Sequence, residues 1–151
     1  MALEISSFEA FAPGTSFTTP SLHIDESDAA ELIRIGGYVH PLFTDPTYAA
    51  DSVFGRSPLP GEAVLHAMGG LAERSGRFDE SVVALLGFDA VRFHAPAFPG
   101  DTLHMSVEVI RREARPNGKR GEVVMAWRCR NERGELLCDA TARMLFRLPH
   151  A

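Results

Sequence analysis

The chain has 151 residues, 45% hydrophobic and 23% charged, a balance that fits one globular domain and argues against a disordered chain. Its net charge of −5 argues against a nucleic-acid partner held through phosphates. The two cysteines, Cys129 and Cys138, are too few for a disulfide framework, and no CxxC or HxxxH spacing marks a metal site.

The first residues lack the basic start and apolar core of a signal peptide. No apolar run approaches the ~20 residues that span a bilayer. A cytoplasmic protein without a membrane partner is therefore expected. Residues 1–14 read as a loose arm with two apolar anchors, Phe8 and Phe11. The β-prone run Ser16-Phe17-Thr18-Thr19 predicts a short strand. Asp25 or Ser27 can cap a helix through Ala29, Leu32, Ile33 and Ile35, and Gly36-Gly37 ends it. Prolines at 41, 46, 58 and 60 then forbid any long regular element between Tyr38 and Pro60.

Gly61 to Arg74 predicts a second helix. Its apolar residues Ala63, Val64, Ala67, Met68 and Leu71 recur at three and four. Gly69-Gly70 costs this helix ~1 kcal/mol per glycine relative to alanine, which predicts a close approach there by a strand or a ligand. From Ser81 onward the pattern is sheet: Ser81–Phe88, then Val91–Ala95, a turn at Phe98-Pro99-Gly100-Asp101, and a strand over Thr102–Arg112. Pro116-Asn117-Gly118-Lys119 is a hairpin signal, followed by strands over Glu122–Asn131 and Glu135–Arg147. Cys129 and Cys138 then flank the turn at Asn131–Gly134 as buried thiols. The basic cluster of Arg111, Arg112, Arg115, Lys119 and Arg120 reads as a solvated hairpin end, with contact to a carrier's phosphates as the rival.

The reading is an α+β fold, one main helix followed by a long antiparallel meander that the helix covers on one face. The remaining face or edge calls for a second subunit.

Three stretches stand in a telling order. The loop Tyr38-Val39-His40-Pro41-Leu42-Phe43-Thr44-Asp45-Pro46-Thr47-Tyr48-Ala49 precedes Phe54-Gly55 and the Pro60-Gly61 start of the helix. Val91-Arg92-Phe93 leads to Pro96 and Pro99-Gly100-Asp101-Thr102. Over roughly Ser16 to Phe146 this arrangement resembles the MaoC-like hydratase/dehydratase family of the hot-dog fold. The resemblance implies a sheet wrapped around one central helix, a dimeric unit, no cofactor, and a 2-enoyl or 3-hydroxyacyl thioester of coenzyme A or an acyl carrier protein as substrate. It also implies an Asp and a His five residues apart in the loop. They handle one water and one proton while the helix start polarises the thioester carbonyl.

This loop departs from that pattern. Anchored on Pro41 and on Asp45-Pro46, the family's Asp position holds Tyr38 and its His position holds Phe43. Phe43 cannot carry a proton, and a phenol with an ordinary pKa near ~10 is a poor base at neutral pH. A substituted set is expected, with His40, Tyr38 and Glu62 as catalytic candidates, because imidazole titrates near neutrality unaided. Phe43, Asp45, Tyr48, Phe54, Gly61 and Ala63 are the expected substrate contacts. The amides of Glu62 and Ala63 would be the carbonyl's donors. His94 and His104 fall on polar strand positions and rank lower. Hydration or dehydration at Cα–Cβ by a homodimer leads. A thioesterase, or the silent half of a heterodimer with a related subunit, follows.

Overall fold

The computed structural model describes residues 8–149. Residues 1–7 of the expected arm lie outside the described residues. The remainder of that arm is anchored: Phe8–Ala10 forms a 3-10 turn, and Phe8 and Phe11 are both buried. The Phe11 ring stacks on Phe78 at 5.4 Å and packs on Phe146 at 5.1 Å.

Two short strands, β1 (Ser16–Thr18) and β2 (Leu22–His23), precede helix α1 (Glu26–Gly36). Asp25 caps α1 in a reciprocal capping box with Asp28. Gly37, in the left-handed region at φ 73°, closes it. The Gly37 amide bonds back to Arg34 and the Tyr38 amide to Ile33, so the helix end fixes where the loop begins. The proline-rich segment folds into two single turns, α2 (Pro41–Thr44) and α3 (Pro46–Ala50), each with proline at its start. Helix α4 (Gly61–Arg74) matches its predicted bounds.

Four long strands follow: β3 (Val82–Phe93), β4 (Thr102–Ala114), β5 (Arg120–Arg130) and β6 (Leu136–Arg147). The sheet order is β1-β4-β5-β6-β3, with β2 also paired to β4. Only β4, β5 and β6 form a meander. β3 lies beyond β6, on the far edge, which corrects the simple meander read from the sequence. The chain must cross the end of α4 to pass from β3 to β4, and a hydrogen bond from the Leu59 amide to the Ala97 carbonyl (2.7 Å) pins that crossing. The two strands expected around Ser81–Phe88 and Val91–Ala95 are one strand. Register shifts between Leu85 and Gly87 and between Asp89 and Arg92 break its alternation. Ala90 has a positive φ of 50° in the second of these bulges.

The sheet wraps around α4. Ala63, Val64, Ala67, Met68, Leu71 and Ala72 are buried on the helix, among Leu103, Met105, Val107, Met125 and Trp127 of the strands. Met68 and Leu71 are fully buried, each removing apolar surface that stabilises by roughly 1.5–3 kcal/mol. This is the hot-dog arrangement that the sequence resemblance implied.

The close approach expected at Gly69 and Gly70 is not made within this chain. A methyl group built on either would meet no described atom within 4 Å. Instead Gly69 and Gly70 line an open depression shared with Val82, Leu85, Trp127 and Met144 of the strands. Cys129 and Cys138 face each other across β5 and β6 as buried free thiols. Burial first, and then each other's proximity or Asp139's charge, push them up to about 12 and about 11 respectively. In the basic cluster, Arg112 donates to the Phe8 and Glu9 carbonyls and Arg115 pairs with Glu122. Arg112 thus ties the Phe8–Ala10 turn to the sheet, and Arg115 serves the hairpin end.

Candidate active site at the start of the central helix

The crossing from β3 to β4, the start of α4 and the α2 turn enclose an apolar cavity of about 320 Å³. Leu42 and Phe43 of α2, Phe54, Gly61, Phe93 and His94 are among its walls. Each wall has a local cause. Proline at the first position of α2 sets its turn, and the His40 Nδ1 caps it by accepting the Leu42 amide at 3.1 Å. That turn aims Leu42 and Phe43 inward. Gly61 permits the Phe93 ring to lie flush on the helix start, since a methyl group there would stand 3.1 Å from the ring. The bulge at Ala90 re-aims the end of β3, so that Phe93 and His94 both reach the cavity.

The helix start presents donors. Pro60 precedes it and carries no side-chain cap. The Ala63 amide is already bonded to the Pro60 carbonyl at 3.0 Å. The donors left for a ligand are the Gly61 and Glu62 amides, one residue earlier than expected, where the helix's partial positive charge is concentrated. Ala63 itself is buried and does not line the cavity.

The other predicted residues divide. Phe43, Phe54 and Gly61 are brought together around the cavity. Asp45 is not among them: its carboxylate caps α3 by accepting the Thr47 amide at 2.9 Å and the Tyr48 amide at 3.3 Å. Tyr48 stands outside, with its ring 5.7 Å from that of His40. Tyr38 and Glu62 do meet, the phenol donating to the Glu62 carboxylate at 3.2 Å. Burial, and then the bond to Glu62 and its charge, raise the Tyr38 pKa above the ordinary phenol value. Tyr38 also packs over Gly36, where any side chain would collide with its ring. It lines a neighbouring depression on the other side of Phe43 and Pro58. None of His40, Tyr38 and Glu62 lines the apolar cavity. His40 is held 6.3 Å from the Phe43 ring, with its Nδ1 engaged as a cap.

A residue ranked low in the sequence stands in the cavity wall. His94 Nε2 lies 3.1 Å from the Asp139 carboxylate. Its backbone amide is fixed to the Leu137 carbonyl at 2.8 Å. No spacing rule pairs these two residues. The register Arg92↔Asp139 between β3 and β6 does so, and that register is a tertiary fact.

Comparison with known proteins places this geometry. Residues 8–126 match the family described as MaoC like domain. The chain is 29% identical over 120 residues to Protein MaoC of Klebsiella aerogenes, a match over 80% of this chain. It spans only 35% of that relative's length. A monoamine oxidase regulatory protein from Archaeoglobus fulgidus superposes with a TM-score of 0.89 at 28% identity over 99% of both chains. The MaoC-like dehydratase from Rhodospirillum rubrum superposes with a TM-score of 0.79 at 25% identity, over 93% of this chain and 97% of the other.

Proposed function

We propose, for a chain that belongs to the MaoC-like domain family, that it adds water to, or removes it from, the Cα–Cβ bond of a small acyl thioester carried by coenzyme A or an acyl carrier protein. One observation carries the reading: an apolar cavity that ends on the uncapped start of a buried helix. The acyl chain lies against Leu42, Phe43 and Phe54. The thioester carbonyl points at the Gly61 and Glu62 amides. Negative charge grows on that oxygen when the double bond is attacked, and donors fixed beforehand in an apolar site stabilise it there. Removing one such donor from an oxyanion site costs on the order of 10²–10³ in rate. The family's dehydratase relative fits the same reaction class.

A second copy of the chain completes the unit in this reading. β3 is an edge strand with Val83, Leu85, Leu86 and Phe93 all 42–52% exposed. An open edge with this much apolar surface is what a partner strand covers. Sedimentation at micromolar concentration should give the mass of a dimer.

The test incubates the protein with 2-enoyl, 3-hydroxyacyl and saturated acyl-CoA esters of short chain length. Enoyl absorbance and free thiol are followed together. Loss of the enoyl signal without thiol release is expected. Thiol release from saturated esters would replace the reading with a thioesterase. Binding of the esters without turnover would make the chain the silent half of a heterodimer.

A further inference from the structure

The proposed reaction needs a group that moves a proton inside the cavity, and the loop supplies none there. Both positions that would hold the family's acid–base pair are occupied by Tyr38 and Phe43, and Tyr38 lines a depression on the other side of Phe43 and Pro58. Among the described residues, the cavity wall holds one side chain able to take a proton, His94. We propose that His94, held by Asp139, is the proton-transfer residue of this chain, in place of a pair on the loop. This inference rests on the hydro-lyase reading above.

The geometry supplies each part. The Asp139 carboxylate stands 3.1 Å from His94 Nε2, within ion-pair reach of the ring, where its negative charge favours a protonated imidazole. The other ring nitrogen, Nδ1, makes no ion pair or side-chain hydrogen bond with the described residues. A nucleophile-activating base oriented by a carboxylate is the arrangement that general-base chemistry requires. The pair is partly screened from solvent, with side-chain exposures of 38% and 33%. His94 and Gly61 line the same cavity, so an acyl group whose carbonyl is bound at the helix start shares that cavity with the ring.

The step balances with one water. The neutral His94 ring takes a proton from water as its oxygen bonds to Cβ. The π electrons of the double bond move toward Cα and the carbonyl, whose oxygen is held by the Gly61 and Glu62 amides. The protonated ring then gives the proton to Cα. Dehydration is the reverse. Asp139 touches no reacting atom and is a positioning residue.

Two independent features support the choice of His94 over a surface role. The bulge at Ala90 puts a non-glycine residue at φ 50° three residues before Phe93, and its consequence is to deliver Phe93 and His94 to the cavity. The hydrogen bond from the His94 amide to Leu137 then extends β3 by one residue and fixes the ring's root.

The experiment compares the wild type with His94→Gln, Asp139→Asn, Asp139→Glu and His40→Ala. Turnover of a 2-enoyl-CoA and binding of the saturated acyl-CoA of the same length are both measured. His94→Gln should lose 10²–10⁴-fold in kcat, the range for a removed acid–base group, with binding of the saturated ester unchanged. Asp139→Asn should lower kcat and leave KM in place, and Asp139→Glu should recover part of the loss, which a merely structural carboxylate would not produce. Unaltered kcat in a folded His94→Gln protein overturns the assignment and leaves the hydro-lyase reading standing. Collapse of His40→Ala with His94→Gln intact returns the chemistry to the loop. Absence of turnover in the wild type sinks both readings together.

Discussion

Gly61→Ala tests the placement of the thioester carbonyl with a single methyl group. The added carbon would stand 3.1 to 3.2 Å from three atoms of the Phe93 ring. Carbon atoms prefer about 3.5–4.0 Å, so the ring must retreat by a few tenths of an ångström or more. It is able to do so, because Phe93 is 52% exposed. Alanine also favours a helix over glycine. The two effects oppose each other, and stability should change by less than about 1 kcal/mol, or a shift of about 2–4 °C in Tm for a chain of this size. Activity should respond more strongly. The methyl group projects into the cavity at the place assigned to the carbonyl, and a displacement of about 1 Å at a reacting centre costs on the order of 100-fold. The assay is kcat/KM on a 2-enoyl-CoA together with a thermal melt. A Tm within this range and a rate lower by one to two orders of magnitude is the expected pair. A folded variant with the wild-type rate would refute the carbonyl's place at the start of α4.

Two further outcomes follow from the packing. Gly70→Ala fills open space in the isolated chain and should raise its stability by about 1 kcal/mol through helix propensity, read as a higher midpoint in urea at dilute concentration. A lower midpoint that recovers with protein concentration would show that a second copy packs on this glycine. The paired thiols predict an alkaline limit. Both folded pKa values are raised, to about 12 and about 11, so the neutral thiols stabilise the fold fully below the unfolded value near ~8.5 and this contribution is lost as pH rises through the folded values. Tm measured from pH 7 to 11 should fall above about pH 9, and Cys129→Ala should flatten that fall. An unchanged slope in the variant would assign alkaline unfolding to other groups.

The helices were legible because their signals are local. Asp25 starts its helix through a side-chain cap, Gly37 and Pro60 stop or start theirs through backbone bonds to near neighbours, and the spacing of Ala63, Val64, Ala67, Met68 and Leu71 states which face is covered. The same locality let the motif order from Tyr38 to Thr102 point to the family, and to Gly61, Phe43 and Phe54 as walls of one site. Strand order was not local. Nothing near β3 says whether it pairs with β4 or β6, and the answer depends on how the sheet curls around α4. The roles of polar residues were decided in the same way. Asp45 and His40 carry groups suited to chemistry, yet the nearest backbone amides claim the carboxylate of the one and Nδ1 of the other as caps. His94 had no sequence partner at all. It meets Asp139 because β3 and β6 lie side by side in one register, and a bulge at Ala90 turns the strand end toward the cavity. Sequence therefore determined the elements, the central helix and the family, since these depend on neighbours a few residues apart. Tertiary structure alone determined which proton-carrying side chain lines the cavity, because that depends on contacts between strands far apart in the chain.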